Sequence, residues 1–276
     1  MKFGQLFDSF RNISWVLAST LALFVVPAHA DELTLGGTGN SLGTLRLLGV
    51  AFSKKYPDTK VTVMSSLGSS GALKAVPKGA LDIGVTSRAL TDEERKSNLA
   101  ATEYARTATV IAVSNKSSVT DITREQLADM LTGKLGKWPD GVVIRPVLRQ
   151  PGDDNSRQLR GLSPAIEQAL AKAEQRQGLP FAVTDQEAAD KMESIPGAVG
   201  VTTLALIKSE NRNLRALKLD NVAATPTEAA NGKYPLIKHF YFITKVAPSG
   251  SVEKFIAFTN SPAGRDILIQ TGHWLP

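Results

Sequence analysis

Residues 33–85 read LTLGGTGNSLGTLRLLGVAFSKKYPDTKVTVMSSLGSSGALKAVPKGALDIGV, and the alternation of short apolar runs with amphipathic stretches decides the fold class. Residues 33–36 predict a first strand. Leu42, Leu45, Leu47, Leu48, Ala51 and Phe52 then recur at helical spacing until Tyr56-Pro57, where the residue before proline disfavours the helical region. A second strand over 60–64 carries Val61 and Val63 on one face. A short helix over 71–76 ends at Pro77 and Gly79, and a third strand follows over 81–85. This β-loop-α-β-loop-α-β unit predicts an α/β protein with mainly parallel sheets.

The same signals continue outward. Thr91-x-x-Glu94 and Thr123-x-x-Gln126 match capping boxes, and Ser163-Pro164, Thr225-Pro226 and Ser261-Pro262 place a cap residue before proline at the first helical position. Gly133, Gly178 and Gly272 stand where helices should stop. Further strands are expected over 109–114, 142–148, 200–204, 214–219 and 240–244. The chain has 276 residues, which at ~150 per domain predicts two domains. No long linker separates them, so the chain is expected to cross between them more than once.

Composition narrows the function. With no cysteine, disulfides, thiol nucleophiles and cysteine-ligated metals are excluded. At the N-terminus, Lys2 and Arg11 flank Asp8, residues 13–27 are an apolar run, and Ala28-His29-Ala30 has the small-x-small form of a signal-peptidase site. Residues 1–30 are therefore read as a signal peptide, cut before Asp31. The mature chain would keep 276 less 30, or 246 residues, and its net charge would fall from +6 to +5. A periplasmic or secreted protein is expected.

The loops after the predicted strands carry the chemistry, because α/β sheets bind ligands at the carboxyl ends of their strands. They read Gly36-Gly37-Thr38-Gly39-Asn40-Ser41, Ser65-Ser66-Leu67-Gly68-Ser69-Ser70-Gly71, Thr86-Ser87-Arg88, and Arg149-Gln150-Pro151-Gly152-Asp153-Asp154-Asn155-Ser156-Arg157. Any one of them could be only a turn and a cap. Together they repeat one pattern: glycines that let backbone approach, and hydroxyl or amide donors beside helix N-termini. Unsatisfied N–H groups and the helix dipole attract anions there. Arg149 could add a bidentate fork. Arg88 and Arg157 read equally well as surface bases or as ligand contacts, and Asp153 and Asp154 as caps of the helix starting near Asn155.

Enzyme readings fit less well. Gly37-x-Gly39-x-x-x-Gly43 is one residue too long for a dinucleotide fingerprint, and Ser65-Ser66 stand where a ribose-binding acid would be expected. Gly68-Ser69-Ser70-Gly71 is not a Gly-x-Ser-x-Gly elbow. Only His239 and His273 remain in the mature chain as bases, and both are read as structural; two isolated histidines also make a poor metal site. No cofactor is expected.

The run Gly37-Thr38-Gly39-Asn40-Ser41, Phe52-x-x-x-Tyr56-Pro57, Gly68-Ser69-Ser70-Gly71 and Gly79-Ala80-Leu81-Asp82-Ile83-Gly84 resembles the phosphate-binding subfamily of ABC-transporter periplasmic solute-binding proteins. The resemblance continues through Ile195-Pro196-Gly197-Ala198-Val199-Gly200, Tyr234-Pro235-Leu236 and Phe255-Ile256-Ala257-Phe258-Thr259-Asn260-Ser261-Pro262-x-Gly264. It implies a two-lobed, type II periplasmic-binding fold with two hinge strands: lobe one over 31–110 plus 240–276, lobe two over 111–239. The lobes would close on an oxyanion and deliver it to a membrane permease. The expected ligand contacts are Thr38, Gly39, Asn40, Ser41, Ser69, Ser70, Gly71, Ser87, Arg88, Arg149, Asp154, Asn155 and Ser156.

Two departures from that pattern matter. Many phosphate binders carry an acid after the third strand that accepts the ligand's proton, whereas this chain has Thr86-Ser87-Arg88. Asp153 or Asp154 would have to supply the acceptor. Arg88 in the cleft would favour a more highly charged or larger anion, such as tungstate, molybdate or a phosphorylated organic compound. The expected protein is a monomeric receptor for a small inorganic anion, phosphate first, with an ABC permease as partner and no nucleic acid. The alternatives are a signalling receptor and a secreted hydrolase built on Ser69 or Ser70.

Overall fold

The computed structural model describes residues 31–276, so the expected signal peptide lies outside the described residues. In chain order the first part comprises β1 (Asp31–Gly37), a 3-10 turn (Gly39–Ser41), α1 (Leu42–Lys55), β2 (Thr59–Val63), α2 (Gly68–Ala75), β3 (Ile83–Thr86), α3 (Asp92–Arg95) and β4 (Leu99–Ser114). The middle comprises β5 (Asp121–Ile122), α4 (Arg124–Thr132), β6 (Arg145–Pro146), α5 (Asp154–Arg160), α6 (Pro164–Gln175), α7 (Asp185–Ser194), β7 (Ala198–Thr203), α8 (Leu204–Ser209), β8 (Leu214–Ala216), β9 (Lys218–Leu219) and α9 (Pro226–Ala230). The chain closes with β10 (Ile237–Lys245), α10 (Gly250–Thr259), α11 (Pro262–Gln270) and β11 (His273–Trp274).

The main sheet runs in the order β2-β1-β3-β10-β4-β7-β6, with β8 and β11 also on β4. It is α/β and mixed, but the expected weight of parallel pairing is corrected. Parallel ladders join β1 to β2 and β3, and β6 to β7. The centre is antiparallel: β10 pairs with β3 along one edge and with β4 over nine positions, from Ile237↔Ala108 to Lys245↔Leu99. A chain that crosses between two lobes and returns must run in opposite directions along its two crossing strands, so the longest ladder is antiparallel.

β4 holds the lobes together. Its first part pairs with β10, and from Thr109 to Val113 it pairs with β7. Apolar packing changes over at the same place. One core gathers Leu33, Leu45, Phe52, Tyr104, Phe240, Phe255 and Leu268. Another gathers Ile111, Leu127, Trp138, Ile166, Met192, Leu206 and Tyr234. Two expected strands are shorter than their patterns suggest. Of 142–148 only Arg145–Pro146 forms a ladder, on the sheet edge where a proline without an N–H is tolerated, while Val143 and Leu148 make isolated bridges to Lys137 and Phe181. The 214–219 segment splits into β8 and β9 around Leu217.

Candidate functional site

A cleft of about 390 Å³ lies where the loops after β1, β2 and β3 face the start of α5 and of α7. Among the described residues every helix from α3 to α11 has a side-chain cap, from Thr91 through Thr123, Asp153, Ser163, Thr184, Thr203, Thr225 and Ser249 to Ser261. The 3-10 turn, α1 and α2 have none. These are the N-termini of the first two loops. First-turn N–H groups without a side-chain acceptor, at the positive end of a helix dipole, suit an anion. Gly68 opens α2 at φ +66, a left-handed conformation that costs glycine least.

Lobe one supplies hydroxyls. Ser69 Oγ accepts a hydrogen bond from Ser87 N at 3.1 Å and lies 3.2 Å from Ser87 Oγ, which ties the second loop to the third. Thr38, Asn40, Ser69, Ser70, Ser87 and Arg88 line the cleft. Gly39, Ser41 and Gly71 do not. Ser41 is fully buried and donates to Thr38 O at 3.0 Å. A Cβ on Gly39 would stand 2.7 Å from Asp185 Oδ2, so this glycine lets the lobes approach. Gln186 Nε2 donates to Gly39 O at 2.8 Å, and Thr203 Oγ1 to Asn40 Oδ1 at 3.1 Å, which ties the lobes beside the cleft.

Lobe two supplies charge in compensated pairs. Arg149 is 8% exposed and donates through Nη2 to Asp153 Oδ2 at 2.7 Å, with Asp185 Oδ1 at 3.3 Å. Its Nε is buried without a partner among the described residues. Asp153 also caps α5 by accepting from Asn155 N at 3.0 Å. Asp154 accepts from Lys238 Nζ, from Gln158 Nε2 at 3.0 Å and from Arg157 Nη2 at 3.1 Å. Burial pushes the Asp154 carboxyl up, but Lys238 and Arg157 outweigh it and hold it below its ordinary value. Asp185 goes the other way: burial raises it, Arg149 opposes, and Asp153 adds to the rise.

The structure separates some residues that the sequence grouped. Asp154 and Arg157 line the cleft, whereas Asn155 and Ser156 face the apolar interior of lobe two with Leu159 and Val199. Helical geometry is the reason, since positions three apart share a face and the two between them turn away. Asn155 reaches the site only through its Nδ2, which donates to Asp185 Oδ1 at 3.1 Å. Arg88, read equally well as a surface base or a ligand contact, lines the cleft with its charge already paired. Its guanidinium forks onto both oxygens of Glu94 at 2.7 Å, and Glu94 closes the capping box with Thr91. This pairing with Arg88 lowers the Glu94 carboxyl to about 2.

Sequence reasoning missed Asp185 and Lys238. Asp185 follows the cap Thr184 at the start of α7 and looks like an ordinary first-turn acid. Lys238 had a legible signal. In a strand starting at 237, period-two alternation puts it on the face of the buried Phe240 and Phe242, an unusual place for an ammonium group. A strand begun at 240 leaves it out. His239 Nδ1 contacts Glu103 Oε1 at 2.7 Å, and His273 is buried against Phe240, so neither lines the cleft.

The family described as a PBP superfamily domain matches residues 26–263. The phosphate-binding protein PstS of Borreliella burgdorferi is 25% identical over 269 residues, covering 93% of this chain and 95% of that protein. A putative phosphate ABC transporter substrate-binding protein with bound phosphate from Clostridium perfringens superposes with a TM-score of 0.73 at 23% identity, over 89% of this chain and 100% of that one. The periplasmic molybdate-binding protein of Azotobacter vinelandii shares the fold with a TM-score of 0.62 at 18% identity, over 88% and 99%. A two-lobed α/β fold around a donor-lined cleft and a match that spans nearly the whole described chain give the same answer: the chain belongs to the PBP superfamily.

Proposed function

We propose that this protein is an exported, monomeric solute-binding receptor that captures an inorganic oxyanion, phosphate first, for an ABC importer, and that it is not an enzyme. One observation carries this reading: the 3-10 turn at Thr38 and Asn40 and the start of α2, neither with a side-chain cap, open on the cleft opposite the buried Arg149. Burying an unpaired anion costs tens of kcal/mol, while each hydrogen bond to a charged group returns about 1.5–3 kcal/mol, so donors from both lobes must converge. Lobe one (31–110 plus 240–276) and lobe two (111–239) would swing about β4 and β10, and differential affinity for the closed form would drive closure. The changeover between the two cores, close to these boundaries, supports the division. Residues 1–30 would be the leader removed on export.

Phosphate is favoured because it still carries a proton near neutral pH, and the acids at the cleft, Asp153, Asp154 and Asp185, can accept a hydrogen bond from it. Fully ionised sulfate offers no such donor. Calorimetry on the mature protein, freed of bound anion, tests the reading with phosphate, sulfate, molybdate and tungstate. Phosphate should bind with Kd below about 1 μM, or about 8.2 kcal/mol, and sulfate at least a hundredfold more weakly. Preference for molybdate or tungstate would keep the receptor and replace the ligand. Binding of none of the four would reject the receptor reading.

A further inference from the structure

We infer that Lys238 is a direct contact for the anion, the second cation of the site beside Arg149, and not merely the counter-ion of Asp154; this rests on the oxyanion reading above. Its side chain is fully buried yet lines the cleft, on the strand β10 that pairs with β4 where the chain passes between lobes. An ammonium has three donors. Among the described residues the single acceptor it meets is Asp154, leaving two donors without a partner there.

Asp154 has partners besides Lys238. That carboxylate also accepts from Arg157 at 3.1 Å and Gln158 at 3.0 Å, so its charge has a second cation and its oxygens have other donors. A lysine on the same strand face as Phe240 and Phe242 is costly to bury, and an apolar side chain of similar volume would often serve stability as well or better. A ligand that uses the two spare donors accounts for its presence. The ammonium is a compact point charge without the planar fork of arginine, so Lys238 would recognise the charge of a tetrahedral dianion while Arg149 fixes its orientation.

The test is a pair of comparisons by calorimetry with inorganic phosphate, using the mature protein. Lys238→Met in the wild-type background should weaken binding, but it would also do so if Lys238 only neutralised Asp154. The decisive comparison is therefore Asp154→Asn against the double variant Lys238→Met/Asp154→Asn, in which no unpaired Asp154 charge remains. A direct contact predicts a further loss of tenfold or more in the double variant. A difference under threefold would overturn it. Should Asp154→Asn fail to fold, Asp154→Ala replaces it in both the single and the double variant, and the two are compared on the same thresholds. A wild type that binds none of the oxyanions would instead reject the receptor reading and take this inference with it. Where wild type does bind phosphate, the difference between the Asp154 single variant and the double variant bears on Lys238.

Discussion

Arg149 pairs with both Asp153 and Asp185, so its removal would have two effects at once. The anion would lose a charged donor, and two carboxylates would be left facing it. Arg149→Ala should weaken phosphate binding by at least tenfold, since a charged hydrogen bond is worth more than ~1.4 kcal/mol; unchanged affinity in calorimetry would remove Arg149 from the site. His273 gives a separate prediction for stability. It is 1% exposed, its Nδ1 meets Thr271 Oγ1 at 3.1 Å, and burial lowers its pKa from 6.5 to about 4. Between those values the unfolded chain takes up a proton that the folded chain refuses, so stability is full above pH 6.5 and falls as pH drops towards 4. The loss is on the order of 3 kcal/mol across the window. Urea denaturation should show it, and His273→Gln should flatten that part of the profile.

At the scale of elements, each helix start is set by a few neighbouring residues, which is why caps were legible. Thr123 accepts from Gln126 N at 3.1 Å while Gln126 Oε1 accepts from Thr123 N at 3.0 Å, the reciprocal capping box its spacing predicted. Thr123→Ala should cost about 1 kcal/mol in urea denaturation and leave phosphate affinity unchanged, because α4 starts away from the cleft. Gly37 ends β1 at the first site loop with φ +150, and a Cβ there would stand 2.0 Å from Val85 O on β3. Gly37→Ala should therefore destabilise the protein by about 3 kcal/mol, through strain and overpacking together. A melting temperature equal to wild type would show that the β1–β3 pair can open to admit the methyl group. Strands depend on more than local signals: 142–148 has the right pattern, yet at the sheet edge its continuous ladder is only the two residues Arg145–Pro146.

For the whole molecule, a ligand that bridges the two cores should stabilise them as one unit. At a hundredfold excess over Kd, phosphate should add about 2.7 kcal/mol and raise the melting temperature by about 5–10 °C in one transition; no shift would argue that the anion does not bind the folded state. The sequence by itself determined the alternating elements, six of the nine side-chain helix caps among the described residues, and the donor-rich loops after β1, β2 and β3, because periodicity and capping act within about four residues. Only the tertiary structure decided which charges meet. Lys238 reaches Asp154 across 84 positions, Asp185 joins the loop residue Arg149 from the start of α7, and Arg88 is claimed by Glu94 and so has its fork filled. Those partnerships depend on where β4 and β10 carry the chain between lobes and on which face of α5 turns to the cleft. In a partly buried cleft, electrostatics is set by the nearest opposite charge in space, whatever its distance along the chain.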